Sequence, residues 1–227
     1  MELPEQQSDR TRRHQDCALF IFTRFPAPGR TKTRLIPLLG DLGAANLQKQ
    51  MTEHLVNHLQ KIQDLTLQVH FTGGTRSQMR TWLGNQLTLV AQSEGDLGQR
   101  LLTAFQQGFT AGLQRIVIIG SDCPNLNEAH ITQALALLHT HEVVFGPATD
   151  GGYYLIGLSH MCPALFDGIA WGSDRDLTQT QVIAGQQNLS TALLPQHSDV
   201  DRPEDLHLWH QVVAEKEALK AQFVDNA

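Results

Sequence analysis

Short apolar runs rich in β-branched and aromatic residues alternate with longer segments of helical period from residue 17 onward. The short runs predict β-strands, because their residues favour extended backbone and Gly, Pro or Asp bounds them. The stronger strand candidates are residues 17–23, 66–72, 116–119, 142–145 and 153–158, and the weaker ones are residues 88–92 and 189–194.

Amphipathic helices are predicted between these strands, where apolar residues recur at intervals of three and four. The clearest pattern comprises Leu47, Met51, Leu55, Leu59 and Ile62, and similar spacing recurs in residues 97–105, 131–138 and 209–213. Strands that alternate with helices are typical of βαβ units. The sequence therefore predicts an α/β fold with a mostly parallel sheet flanked by helices.

Length and composition favour one domain. The chain has 227 residues, of which 41% are hydrophobic. This is enough for one sizeable core and short for two domains of roughly 100 to 200 residues each. We expect a single domain over residues 17–227. Residues 1–16 lack the apolar run of a signal peptide, and we expect them to form a disordered tail.

Charge and cysteine content narrow the possible functions. The formal net charge is −6, whereas a nucleic-acid-binding protein usually presents a strongly basic surface. Cys17, Cys123 and Cys162 lack CxxC spacing, which argues against a disulfide framework and a zinc finger. No window approaches the ~20 apolar residues of a membrane span. We therefore expect a cytoplasmic protein with no membrane span and no nucleic-acid partner.

The loop after the first predicted strand carries four cations beside Gly29: Arg24, Arg30, Lys32 and Arg34. Loops at this position face the ligand crevice of an open α/β sheet. Forked guanidinium groups and an ammonium suit a di- or triphosphate, and glycine lets the backbone approach it closely. The loop is not a Walker A motif, because threonine stands where the glycine before the lysine belongs. A solvated basic loop is the alternative.

Asp122 directly follows the third of the stronger strands. A carboxylate at a strand end can bind a hard divalent ion that also contacts phosphate oxygens, as Mg²⁺ usually does in proteins. We therefore interpret Asp122 as the metal ligand, for Mg²⁺ or Mn²⁺. The alternative is that Asp122 caps the turn or helix that follows.

Two further carboxylates have two possible roles each. Asp150, followed by Gly151 and Gly152, is either a sugar-binding carboxylate or general base, or a residue of an Asp-Gly turn. Asp201 is either a second metal ligand or, with Glu204, part of a capping box at the start of the last helix.

The segment Gly95-Asp96-Leu97-Gly98-Gln99-Arg100 also has two interpretations. Its glycines and Arg100 are suited to line a substrate pocket. Asp96 and Gln99 have the spacing of a capping box at a helix start.

Five segments together resemble one known pattern. They are FxRFPxPGRxKTRL at residues 22–35, GDLGxR at 95–100, GSDCP at 120–124, GPATDGGYYLIGL at 146–158 and DVDRPEDL at 199–206. In this order they resemble the radical-SAM/selenodomain-associated transferase family 1. That family is similar to GT-A glycosyltransferases and to the nucleotidylyltransferases of cofactor biosynthesis. The resemblance implies their nucleotide-diphospho-sugar transferase fold for this chain.

The resemblance implies that Arg30, Lys32 and Arg34 contact the nucleotide phosphates, that Asp122 holds the divalent metal, and that Asp150 and Gly151 lie by the transferred group. The residue patterns described above complete the set of expected site residues. Lys32 and Asp150 become the expected catalytic residues, and Asp122 and Asp201 the expected metal ligands. The expected phosphate-binding residues are Gly29, Arg30, Lys32 and Arg34, and the expected substrate-binding residues are Arg100, Gly151 and Gly152.

These features predict a metal-dependent transferase that uses a nucleotide-activated donor, with glycosyl transfer from a nucleotide sugar to a small-molecule acceptor as the first choice. GT-A enzymes commonly carry an Asp-x-Asp motif, whereas Ser121-Asp122-Cys123 supplies a single aspartate here. Nucleotidylyl transfer with release of pyrophosphate is therefore one alternative. A non-catalytic module that binds nucleotide sugars is the other.

Overall fold

The computed structural model of the protein describes residues 16–224, with side chains through residue 218. Residues 1–15, which comprise nearly all of the expected tail, lie outside this range. The strands are β1 Cys17–Arg24, β2 Thr66–Thr72, β3 Thr88–Ala91, β4 Arg115–Gly120, β5 Val143–Pro147, β6 Tyr153–Leu158 and β7 Thr191–Leu193. The helices are α1 Ile36–Leu59, α2 Arg76–Leu83, α3 Leu97–Thr110, α4 Glu128–Leu137, α5 Asp176–Gln186 and α6 Leu206–Val224.

The strands form one seven-stranded sheet in the order β3-β2-β1-β4-β6-β5-β7. Only β6 runs antiparallel to its neighbours within the described part of the chain. This confirms the predicted α/β fold with a mostly parallel sheet. Both weaker strand candidates are also confirmed, as β3 and β7.

The sequence pattern does not predict α2 and α5, for a physical reason. Met79 is the one buried residue of α2, so that helix has almost no apolar stripe. Helix α5 buries Asp176, Thr180 and Ala184, and two of these three are polar. Hydrophobic periodicity is the signal that reveals a helix in a sequence, and neither segment carries it.

Helices cover both faces of the sheet. Alternate residues of β1 point to opposite faces, so Leu19 and Ile21 pack in one apolar cluster with residues of α1, α2 and α4. Ala18 and Phe20 pack in a second cluster with residues of α3 and α5. Because both faces are buried, the central strands read as continuous apolar runs.

The position of β1 determines where a ligand can bind. Strand β1 pairs with β2 on one side and with β4 on the other. Strands β2 and β3 are thus added on one side of β1, and the later strands are added on the opposite side. A reversal of this kind opens a crevice at the carboxyl ends of the two strands. The basic loop and Asp122 therefore flank the same crevice. No helix in residues 16–224 is long and apolar enough to cross a membrane.

His70 is a buried titratable group in the centre of the fold. Its ring lies on β2, stacks on Phe20 and Phe22 with centroid separations of 4.5 and 5.4 Å, and is 2% exposed. Its Nε2 lies 3.1 Å from Gln68 Oε1. Burial lowers the pKa of His70 from 6.5 to about 4.

We predict that this histidine makes the fold sensitive to acid. The unfolded chain binds a proton near pH 6.5, whereas the folded chain excludes it until about pH 4. The contribution of the uncharged His70 to the free energy of unfolding is therefore complete above pH 6.5, and it is lost as the pH falls towards 4. His70→Phe should reduce the acid-induced loss of unfolding free energy by up to about 3 kcal/mol. Urea denaturation at several pH values between 7.5 and 4 measures this, and an unchanged pH dependence would contradict it.

Candidate active site

Two adjoining cavities occupy the crevice at the carboxyl ends of β1 and β4. The first, of about 380 Å³, is the sheet cavity, and its lining includes Phe22, Thr72, Arg100, Tyr153 and Asp199. The second, of about 370 Å³, is the loop cavity, lined by Thr31, Lys32, Thr33, Arg34 and Asp201. Arg24, Gln48 and Asp122 line both. The two cavities can therefore hold two parts of one ligand or two neighbouring ligands.

The basic loop adopts a constrained backbone before α1 begins. Gly29 has a φ of 73°, and the buried Thr31 hydroxyl donates to the Phe25 carbonyl oxygen at 3.1 Å. Lys32 itself is left-handed, with φ 50° and ψ 46°. This conformation costs a non-glycine residue about 1 kcal/mol or more. Strained residues of this kind cluster at functional sites.

Lys32 joins the basic loop to two carboxylates. Its Nζ lies 2.8 Å from Oδ1 of both Asp122 and Asp201, and it donates to the Val200 carbonyl oxygen at 2.6 Å. The Lys32 side chain is only 4% exposed. Burial by itself would lower the pKa of Lys32, but Asp122 and Asp201 raise it above its usual value. The ammonium therefore stays charged at physiological pH.

The residue 199–201 segment brings a third carboxylate to the crevice. The Val200 backbone N–H donates to the Asp122 carbonyl oxygen at 2.8 Å, which holds this segment beside the end of β4. Burial and the nearby Asp122 carboxylate raise the pKa of Asp199 to about 7. Two carboxylates thus share the buried Lys32 ammonium, and Asp199 beside them holds its proton up to about pH 7.

Asp201 does not cap the last helix. Oδ2 of Asp205 instead accepts hydrogen bonds from the backbone N–H groups of Asp201 and Arg202, at 3.1 and 2.8 Å. The capping-box alternative for Asp201 and Glu204 is therefore wrong. The Asp201 carboxylate faces Lys32 and, at 3.5 Å, Arg34.

The carboxylates fit a divalent cation that completes its coordination with other ligands. In residues 16–224 no three His, Cys, Asp or Glu side chains are arranged to hold a metal ion. However, Oδ1 of Asp122 is buried and has no hydrogen-bonding partner of good geometry beyond the nearby Lys32 ammonium. The Asp122 and Asp201 side chains are each 40% exposed. Mg²⁺ commonly binds one or two carboxylates plus substrate phosphates and water, and this pair supplies that donor set.

The Asp150 segment forms a tight turn beside the crevice. The Gly152 backbone N–H donates to Asp150 Oδ1 at 3.0 Å, so the turn interpretation of Asp150 is confirmed. Asp150 is exposed, and its charge contributes to the raised pKa of Asp199. Gly151 has a φ of 92°, and a Cβ at that position would overlap the carbonyl oxygen of Asp174. Neither glycine lines the two cavities.

The segment of residues 95–100 forms a helix cap without a full capping box and brings Arg100, but neither of its glycines, to the sheet cavity. Asp96 caps α3, because its Oδ1 accepts the Gln99 backbone N–H at 2.9 Å. A Cβ at Gly98 would overlap the Trp171 indole, so this glycine is required for packing. Arg100 lines the sheet cavity, and its buried Nε has no hydrogen-bond partner in the described structure.

The two cavities are lined by five of the ten expected site residues. Lys32, Arg34, Asp122 and Asp201 line the loop cavity, and Arg100 lines the sheet cavity. Gly29, Arg30 and Asp150 line neither cavity, and all three are exposed. Sequence reasoning missed Gln48, although a polar residue on the apolar face of the predicted helix over residues 47–62 is a detectable anomaly.

We predict that Gly151 is indispensable because of its contact with Asp174. Gly172 is a matched control, since its φ is 83° and nothing lies within 4 Å of a Cβ there. Gly172→Ala should cost about 1 kcal/mol through backbone strain alone. Gly151→Ala should cost about 1 to 3 kcal/mol more, because the overlap displaces a loop. Chemical denaturation of both variants measures the difference, and equal losses would contradict the prediction.

The fold is shared with transferases that use nucleotides. A protein from Desulfovibrio desulfuricans G20, provisionally assigned as a nucleotide-diphospho-sugar transferase, is 31% identical over 92% of this chain and 98% of that chain, with a TM-score of 0.83. CMP:2-keto-3-deoxy-manno-octonic acid synthetase complexed with CTP is 10% identical over 88% of this chain and 99% of that chain, with a TM-score of 0.57.

A third similar structure is Rv0371c from Mycobacterium tuberculosis H37Rv in complex with manganese. It is 14% identical over 85% of this chain and 96% of that chain, with a TM-score of 0.50. At such identities the last two structures support the fold alone.

No curated protein matches the sequence. A family profile matches residues 55–173. The chain therefore belongs to the bacterial family described as "Uncharacterized protein conserved in bacteria" (DUF2064).

Proposed function

We propose that the protein is a metal-dependent transferase that moves a glycosyl group from a nucleotide sugar to a small-molecule acceptor. The observation that carries this proposal is the Lys32 ammonium, buried between Asp122 and Asp201 where the two cavities meet. The provisional assignment of the Desulfovibrio protein as a nucleotide-diphospho-sugar transferase supports the nucleotide-sugar part of this proposal. Within the family, we place the chain in the radical-SAM/selenodomain-associated transferase family 1 that its motifs resemble.

The loop cavity is suited to the donor phosphates. Arg24, Lys32 and Arg34 line it and give it three cations. Arg24 and Arg34 are solvent-facing, so they can turn towards a diphosphate without breaking a buried ion pair. Lys32 stays protonated because the neighbouring carboxylates raise its pKa. Gly29 and Arg30 would join the site through a movement of the loop.

Asp122 and Asp201 would hold the divalent metal, Mg²⁺ or Mn²⁺, which when bound would neutralise charge on the phosphate oxygens of the donor. The manganese complex of Rv0371c, a protein of similar fold, supports this choice. The Asp122 and Asp201 charges help to raise the pKa of the neighbouring Asp199, and a bound cation would offset this repulsion.

Glycosyl transfer breaks the bond between the anomeric carbon and the diphosphate oxygen, and an acceptor oxygen forms a bond to that carbon. Negative charge develops on the departing nucleoside diphosphate. The buried Lys32 would stabilise this charge from a fixed position, which lowers the barrier without reorganisation. The neighbouring arginines would add to this by turning towards the diphosphate. Asp150 lies in an exposed turn outside both cavities, and its carboxylate would receive the acceptor proton if the acceptor binds on that side of the crevice. Arg100, Gly151 and Gly152 would contact the acceptor or the transferred sugar.

Nucleotidylyl transfer is the second candidate, and the environment of Ser121 favours it. The Ser121 side chain is buried and hydrogen-bonded to Gln48 and Thr23. The end of β4 therefore offers one carboxylate, without the second aspartate common in GT-A enzymes. In this reaction Lys32 and the arginines would stabilise attack at the α-phosphorus and departure of pyrophosphate.

The products separate the two reactions. Purified protein with Mg²⁺ or Mn²⁺ is incubated with a panel of nucleotide sugars and nucleoside triphosphates and with candidate acceptors. We expect release of a nucleoside diphosphate from a nucleotide sugar. Pyrophosphate without nucleoside diphosphate would establish nucleotidylyl transfer instead. Tight donor binding without any product would indicate the non-catalytic module.

We predict that two substitutions in the Lys32 cluster reduce turnover in different ways. Asp122→Asn keeps the side-chain shape but removes the charge that binds the ion, so the metal-dependent rate should fall at least about 100-fold. Lys32→Ala should raise the donor KM and also lower kcat about 100-fold, because the ammonium contacts charge in both the bound and the transition state. Steady-state kinetics at several metal concentrations measures both effects.

Lys61→Ala is a matched control for the lysine substitution. Lys61 is exposed and follows α1 at the amino-terminal edge of the sheet, away from both cavities. This variant should retain the wild-type kinetic constants.

If Asp122→Asn keeps its rate at saturating metal while Asp201→Asn loses its rate, Asp122 is not the principal metal ligand.

A further inference from the structure

Four buried polar side chains form a closed hydrogen-bonded ring directly behind the crevice. Gln48 Nε2 donates to Ser121 Oγ at 2.8 Å and to Thr52 Oγ1 at 3.1 Å. Ser121 Oγ donates to Thr23 Oγ1 at 3.0 Å, and the Thr23 and Thr52 hydroxyls lie 3.0 Å apart. Each of the four residues is at most 5% exposed. We call these four residues the polar ring.

The polar ring spans the point where two strands separate. Strand β1 remains paired with β2 as far as Arg24, but its pairing with β4 ends at Phe22 and Gly120. Thr23 and Ser121 are the next residue on each strand. The Ser121 to Thr23 hydrogen bond therefore joins the two strands just beyond their last backbone pair. Gln48 and Thr52 connect this junction to the longer part of α1, which follows a break in that helix at Gly40 (φ 70°, ψ 169°).

Packing alone does not explain the polar ring. Apolar residues of similar shape would fill this region without the cost of burying four polar groups. A buried hydrogen-bonded network stabilises a fold only when every polar group in it has a partner. Two ring members immediately precede site residues, because Thr23 adjoins Arg24 and Ser121 adjoins Asp122. Gln48 also lines both cavities.

We propose that Gln48 is a positioning residue that fixes the separation between the basic loop and Asp122. Its amide nitrogen connects α1 to both strand ends, because it lies 3.4 Å from Thr23 Oγ1 on β1 and 2.8 Å from Ser121 Oγ just after β4. These hydrogen bonds set the separation between Lys32 and Asp122. A metal-bound diphosphate would bind in the same space. The inference rests on the proposed function, since it assigns the polar ring to the phosphate- and metal-binding half of that site.

The experiment measures binding of inorganic pyrophosphate in the presence of Mg²⁺ by titration calorimetry. We expect Gln48→Met and Thr52→Val to weaken this binding about tenfold, a loss typical when a residue that orients a metal ligand is removed. Thr52→Ser keeps the hydroxyl and should restore wild-type affinity. Thr180 provides the matched control, because it is also fully buried in a helix but donates to the Asp176 carbonyl oxygen at 2.8 Å, away from the polar ring.

Melting temperatures of all variants separate binding from stability. Thr52→Val and Thr180→Val should both melt below the wild type, while only Thr52→Val binds pyrophosphate more weakly. Wild-type affinity in folded Thr52→Val, and in Gln48→Met if it folds, would overturn the positioning role and leave the proposed function standing. Absence of Mg²⁺-dependent pyrophosphate binding in the wild type would overturn the proposed function and this inference together.

Discussion

The buried ammonium of Lys32 is the interaction on which the site depends. A charge that is 4% exposed is stable only when it is paired and hydrogen-bonded. Asp122, Asp201 and the Val200 carbonyl oxygen supply those partners at 2.6 to 2.8 Å. This one contact fixes the basic loop, the end of β4 and the residue 199–201 segment relative to each other. The left-handed backbone of Lys32 is compensated by the same contact.

The sheet topology provides the place for this contact. Because β1 and β4 meet where the strand order reverses, their carboxyl ends open into a crevice. The polar ring joins the two strands at that point, and the Val200 to Asp122 backbone hydrogen bond adds the last segment. Cations and carboxylates are therefore brought together in a crevice of an otherwise acidic protein. Such a juxtaposition suits a ligand that carries both phosphates and a divalent metal.

Local sequence signals were sufficient for much of this structure. Strands β2 and β6 have the predicted bounds, because apolar runs with Gly and Asp at their ends leave little ambiguity. The cations of the basic loop and Asp122 stand out because they directly follow strands. By contrast, Lys32 and Asp201 are 169 residues apart. No local pattern reports a contact between residues so distant in the chain, so Asp201 kept two interpretations until the structure placed Asp205 in the capping role.

Thermal denaturation of the wild-type protein tests the nucleotide-dependent role of this crevice most directly. Each nucleotide sugar and nucleoside triphosphate is added with and without Mg²⁺ or Mn²⁺. We expect one nucleotide class, at about 100 times its Kd and with metal present, to stabilise the fold by about 2.7 kcal/mol. We expect a smaller shift without metal, because Lys32 and Arg34 alone then offset the repulsion between the Asp122 and Asp201 carboxylates and the phosphates. No shift with any nucleotide, in the presence of either metal, would contradict the assignment of this crevice to a nucleotide donor.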